Sequence, residues 1–203
     1  DVESHAVEKD GKIVAVVHGI SHAKIKEGRN LARLFRRDQQ HGCFQLGVLH
    51  CTVEGQSKAD RYAPCAVDDL KNAGLDAWAL GHVHERATLS TTPLIAYSGN
   101  AQGLHVNEPG PRGCLRVAAS PQPDGGYACR EEFVRLGPVQ WTKVQVDLDD
   151  VAHLNDVEGR MTRALEEAAE GTDPGCEALI ARVVLRGRTP LDAALRDAPN
   201  QED

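Results

Sequence analysis

"LDAWALGHVH", residues 75–84, carries a mostly apolar segment into a glycine and then two histidines one residue apart. The apolar part reads as a buried strand, and because an imidazole is costly to hide, the histidines mark the point where that strand leaves the core. Residues two apart in extended geometry point to the same side, whereas on a helix they diverge by about 200°. His82 and His84 can therefore act together only on a strand or its continuation. Gly81, just before them, leaves space for an ion or a phosphate to approach the backbone. Imidazole is the commonest transition-metal ligand, so the pair raises the question of a metal centre.

Reading outward, "CFQLGVLH" (43–50) alternates into a second strand that ends on His50. Between the two strands "APCAVDDLKNAG" (63–74) has Pro64 at the first helical position and Gly74 past the last, the punctuation of a short helix. Strand, helix, strand places the tips bearing His50 and His82 at one edge of one sheet. "KIVAVVHG" (12–19) reads as another buried strand, and "EGRNLARLFRRDQQHG" (27–42), with Leu31, Leu34 and Phe35 at helical spacing, as an amphipathic helix. On that helix Arg29, Arg33, Arg36 and Arg37 put at least three guanidiniums on one face, either solvated or touching a DNA backbone.

Downstream the elements shorten. "PLIAYSG" (93–99) reads as a strand, and "GCLRVAAS" (113–120) and "YACREEFVRL" (127–136) flank the turn-rich "PQPDGG" as a hairpin. Gly137 and Pro138 mark a boundary, giving an expected division into 1–137 and 138–203. The second part reads as a strand (139–148), a helix (155–171) with Val157, Met161, Leu165 and Ala168 along one stripe, a strand (177–187) and a frayed tail, "APNQED". The class is α+β, with the second part a small α/β unit. His18, His22, His41 and His153 have no motif context and read as structural or surface residues, and Trp78 and Trp141 as core or interface anchors.

The hydrophobic fraction of 41% and charged fraction of 26% are those of a globular protein, with no apolar run of membrane-spanning length. The start, "DVESHAVEKDGK", lacks a basic then apolar leader pattern, and the six cysteines include no C-x-x-C pair. Both features point to the cytoplasm and reduced thiols. Residues 138–203 hold 7 Lys and Arg against 14 Asp and Glu, so the whole formal charge of −7 falls there, which disfavours an extended nucleic-acid grip by that part.

The stretches "GVLHCTVEGQ", "RYAPCAVDDLKNAGLDAWALGHVH", "YSGNAQGLHVNEPGPRGC" and "VQWTKVQVDL", in this order, resemble the later motifs of the calcineurin-like metallophosphoesterases. Within them they are similar to the bacterial DNA repair exonuclease branch of the SbcD and YhaO kind. The resemblance covers about residues 12–187. It implies the C-terminal part of a four-layer αββα sandwich followed by a capping unit, and two divalent metal ions, manganese in such nucleases. His50 and His82 would ligate one ion and His84 the other, with Asn100 either a phosphate-facing or outer-shell group or a turn residue tolerant of positive φ. Two such ions can activate a water and stabilise both the attacking and the leaving oxygen of a phosphodiester. Implied partners are DNA, a coiled-coil ATPase of the SbcC kind and a second copy of the chain.

The family's D-x-H, G-D-x-x-D and G-N-H-[DE] motifs do not occur in these residues, and Leu104 stands where an arginine is usual. Three neutral imidazoles without carboxylates hold two mutually repelling cations poorly. The expectation is therefore a C-terminal part of a longer protein, or a truncated product, with its general acid elsewhere. Two other readings stay open: a mononuclear zinc protein with three histidine ligands, and a non-catalytic scaffold that binds DNA or a partner.

Overall fold

A computed structural model describes residues 1–22, 26–54 and 61–196. The expected frayed tail, and the end of the 47–56 motif, lie outside them. Strands β1 (Glu3–Lys9) and β2 (Lys12–Gly19) form a hairpin about Asp10 and Gly11, both at positive φ. β3 (Phe44–His50), β4 (Ala77–Gly81), β5 (Ala87–Thr91) and β6 (Leu94–Tyr97) complete a six-stranded sheet of order β1-β2-β3-β4-β6-β5. β2, β3, β4 and β6 are mutually parallel, so their C-terminal ends share one edge. The register pairs His50 with Gly81, which fixes the two histidine-bearing tips side by side.

The central strands of the sheet bury both faces, and the apolar alternation decides what each covers. On one face Leu49, Trp78, Leu80, Ile95 and Tyr97 pack against the 3-10 turn Leu31–Leu34 and helix α1 (Val67–Lys71). Trp78 is 1% exposed, stacks at a tilt on Phe35 with centroids 4.8 Å apart, and donates its indole N–H to the Leu70 carbonyl at 3.1 Å. Gly47 is its partner in register, and a methyl there would meet the Trp78 ring at 2.5 Å. On the other face Ala77, Leu94 and Ala96 pack with Phe44, Leu46 and two residues of a second hairpin, Leu115 and Cys129. That hairpin is β7 (Gly113–Pro121) with β8 (Tyr127–Arg135).

The residues form two units: 1–101 with 113–136, and 102–112 with 137–203. In the second, β9 (Val139–Asp147) and β10 (Ala178–Arg186) are parallel and joined by α2 (Leu154–Glu170), with α3 (Asp192–Arg196) after them. Val157, Met161, Leu165 and Ala168 of α2 pack on Val144 and Val146, as the helical stripe requires. The architecture is α+β, and no helix among the described residues is long and apolar enough to cross a membrane.

The expected helix over 27–42 does not form. Phe35 is already extended, at φ −76° and ψ 141°, and buries against Trp78 instead of continuing a helical face. The arginines are held one by one: Arg29 by Glu27, Arg33 by Asp69, Arg37 by Asp76, and Arg36 by the carbonyls of Arg33 and Phe35. They present no helical basic face.

Candidate metal centre

Each of the four parallel strands runs out at the same edge into a residue of interest. His22 lies three residues past β2, His50 ends β3, His82 and His84 follow β4, and Asn100 follows β6. Ligands in open parallel sheets gather at the carboxyl ends of the strands, so this edge is where a site belongs.

His50 and His82 come together. Nδ1 of His82 is 3.2 Å from Nε2 of His50, with ring centroids 5.1 Å apart. The Tyr62 ring stacks on His82 at 5.7 Å and meets His50 edge-on at 5.3 Å, so one aromatic side chain holds both imidazoles. Gly81 completes the approach: a Cβ there would stand 3.1 Å from Nδ1 of His50. His82 itself sits at φ 94°, a left-handed conformation that costs a residue with a Cβ about 1–3 kcal/mol. The tip after His50 is pinned by the buried Tyr97, whose hydroxyl donates to the Cys51 carbonyl at 2.9 Å and accepts the Val53 N–H at 3.0 Å.

His84 is exposed, and its carbonyl accepts the Asn100 N–H at 3.2 Å. The close crossing of these two loops needs Gly99, at φ 77°, where a Cβ would stand 2.8 Å from the His84 oxygen. The positive φ thus falls on Gly99, and Asn100 is not itself a left-handed turn residue. The structure brings His50 and His82 into contact and puts His84 and Asn100 on adjoining loops. It also gathers a residue the sequence reading had set aside: the His22 ring lies 4.6 Å from Tyr62 and 6.0 Å from His50. The signal that could have found it is the apolar run 12–19, which ends beside β3 and carries the chain to this edge.

Partial burial lowers the pKa of His50 below the ordinary imidazole value, and the neighbouring His82, His22 and His84 push it the same way. The ring is thereby held neutral, the form that ligates a metal. A metal–imidazole bond of roughly 2.1 Å puts two nitrogens seen at about 100° from the ion about 3.2 Å apart. The His50–His82 spacing of 3.2 Å fits one edge of such a coordination shell. Without an ion the same contact is an N–H···N hydrogen bond. Among the described residues no three His, Cys, Asp or Glu side chains close into a group that could hold an ion. The pair fits a metal as part of a ligand set, not as the whole of one.

Residues 141–202 match the family described as metallophosphoesterase YhaO, middle domain. Over 189 residues, 93% of the chain, the sequence is 32% identical to a protein of Bacillus subtilis (strain 168) named "Uncharacterized metallophosphoesterase YhaO". Both findings support a metallophosphoesterase family for the chain, and such families typically use divalent metals for phosphoester hydrolysis. The chain spans 44% of that relative's length.

Proposed function

We propose that this chain supplies the imidazole side of a metal-dependent phosphodiesterase centre, acting on DNA as an exonuclease in repair. The observation that carries the reading is the 3.2 Å contact of His82 and His50 at the ends of adjacent parallel strands. In it His50 and His82 hold one divalent cation, and His84, on the neighbouring loop, faces a second. The carboxylates that two cations require come from polypeptide outside these 203 residues, in keeping with a relative more than twice as long. Bound cations would supply Lewis-acid stabilisation of phosphoryl oxygens and a water of lowered pKa. Of the chain's own residues, Tyr62 orients the two rings, and Gly81 leaves the approach to His50 open. Manganese, a coiled-coil ATPase partner of the SbcC kind, self-association and a cytoplasmic setting belong to the same proposal and rest on the resemblance of motifs.

A second reading takes the 3.2 Å contact of His50 and His82 as two sides of a single zinc site, with His84 as its third histidine ligand. Metal titration with hydrolysis of a model phosphodiester and of DNA separates the readings. The exonuclease reading expects manganese-dependent hydrolysis by the parent polypeptide carrying this segment, lost by at least 100-fold in His82→Ala. One tightly held zinc with no manganese response supports the second reading. Full activity in His82→Ala defeats the first.

A further inference from the structure

Two of the six cysteines meet just behind the end of β3. Cys51 is the first residue past that strand, and Cys65 lies between Tyr62 and the start of α1. Both are buried, and their sulfurs stand 3.8 Å apart. The backbones that carry them are fastened to each other. The Tyr62 carbonyl accepts the Thr52 N–H at 2.7 Å, the Thr52 carbonyl accepts the Cys65 N–H at 3.2 Å, and the Cys65 carbonyl accepts the Glu54 N–H at 3.1 Å. A buried thiol is ordinarily a small apolar group packed against carbon, but here each sulfur faces another. A disulfide holds its sulfurs about 2.0 Å apart, so the pair has about 1.8 Å to close, a gap that side-chain rotation with a small backbone shift covers. Cys65 also borders a polar cleft of about 540 Å³, together with Thr52, Glu54 and Arg61. That cleft gives a small oxidant a route to a sulfur that the core otherwise encloses. The sulfur contact with Cys51 holds the Cys65 thiol below its ordinary pKa, which favours the thiolate that reacts.

We propose that Cys51 and Cys65 are a redox pair that a hydroperoxide oxidises to a disulfide, tying the end of β3 to the segment that follows Tyr62. The Cys65 sulfur attacks a peroxide oxygen, so that an S–O bond forms as the O–O bond breaks; the departing hydroxide takes up the thiol proton and leaves as water. The Cys51 sulfur then attacks the sulfenic sulfur. The S–S bond forms, the S–O bond breaks, and the hydroxide released leaves with the Cys51 proton as a second water. The two thiols give up two electrons between them, and the peroxide takes both. Closing the bond draws the residue after His50 towards the segment after Tyr62, so it shifts two side chains whose rings meet edge-on at 5.3 Å. No step involves an ion, and the inference stands or falls independently of the phosphodiesterase reading.

The test is treatment of the full chain with hydrogen peroxide, followed by thiol alkylation in denaturant and peptide mapping by mass spectrometry without reductant. The wild type is expected to lose two of its six alkylatable thiols, to yield one linked peptide joining residues 51 and 65 that is lighter by two hydrogens, and to recover both thiols with dithiothreitol. The imidazole proton signals of His50 are expected to move on oxidation by more than a linewidth, and to return on reduction. In Cys65→Ser the linked peptide should be absent and the His50 signals should stay in place under peroxide; should that variant fail to fold, Cys51→Ala is treated in its place with the same expectation. Six thiols still alkylated after peroxide overturn the inference. So does a link formed only through the half-buried Cys43, Cys114, Cys129 or Cys176, or a disulfide between residues 51 and 65 that leaves the His50 signals unmoved.

Discussion

His82 does two things that conflict. Its ring sits against His50 at 3.2 Å, while its backbone is held at φ 94°, where a Cβ is unfavourable. In an ordinary extended segment glycine is less stable than alanine by roughly 0.5–1 kcal/mol, because it loses more freedom on folding. At position 82 the order should reverse. His82→Gly is expected to be more stable than His82→Ala by about 1 kcal/mol, as judged by urea unfolding, although both lose the imidazole. Equal stabilities would mean that this backbone carries no strain. Strain of this kind is retained where the side chain is needed, and the residue bearing it is the one that the H-x-H pattern had singled out.

At the scale of elements, the strands carrying His50 and His82 are readable because each is an apolar run that ends abruptly on a histidine, and the register confirms that the tips adjoin. β1 is exposed along its whole length and β5 is only the five residues "ATLST", with Ala87 and Leu89 its two apolar positions, so neither offers a run long enough to announce itself. The segment 27–42 misleads for a different reason. Leu31, Leu34 and Phe35 have helical spacing, but Asn30 and Arg33 are bound to Asp69, and Arg37 to Asp76, partners far away in sequence. Those contacts hold the segment as a short turn followed by extended chain, and no local pattern encodes them. His22 escaped notice for the same reason, since its partners at the sheet edge come from β3 and from Tyr62, not from its own neighbourhood. Two elements also share one tight fit that controls the site. Gly47→Ala would drive a methyl to 2.5 Å from the Trp78 ring and should cost about 1–3 kcal/mol by urea unfolding. Because β3 and β4 must part to accept it, the His50–His82 contact should loosen and divalent-ion affinity should fall with stability; unchanged stability would show that the ring yields freely.

For the whole molecule, acid stability is set in part by Glu27. The Arg29 guanidinium and its backbone N–H hold this carboxyl down, from 4.5 to about 2. A carboxyl with a lowered folded-state pKa stabilises the fold above its unfolded value and loses that contribution as pH falls. The Glu27 carbonyl also accepts the Ala63 N–H at 2.7 Å, so the pair steadies the segment that presents Tyr62. Wild type should melt above Glu27→Gln at pH 7, with the gap closing between about pH 4.5 and 2. A gap independent of pH would mean that the ion pair contributes nothing to the fold.

The route of the chain through its second unit bears on how the protein can be dissected. Gly103 accepts the Trp141 indole N–H at 2.9 Å, Gly110 donates to the Trp141 carbonyl at 2.9 Å, and Asn107 accepts a bond from Lys143 at 2.8 Å. Severing the polypeptide at the glycine–proline junction, where composition invites the cut, would leave the β9 tryptophan stripped of the strap that seats it. The second unit begins at Gln102, so a trimmed piece that keeps it whole must carry the β7–β8 hairpin that interrupts it.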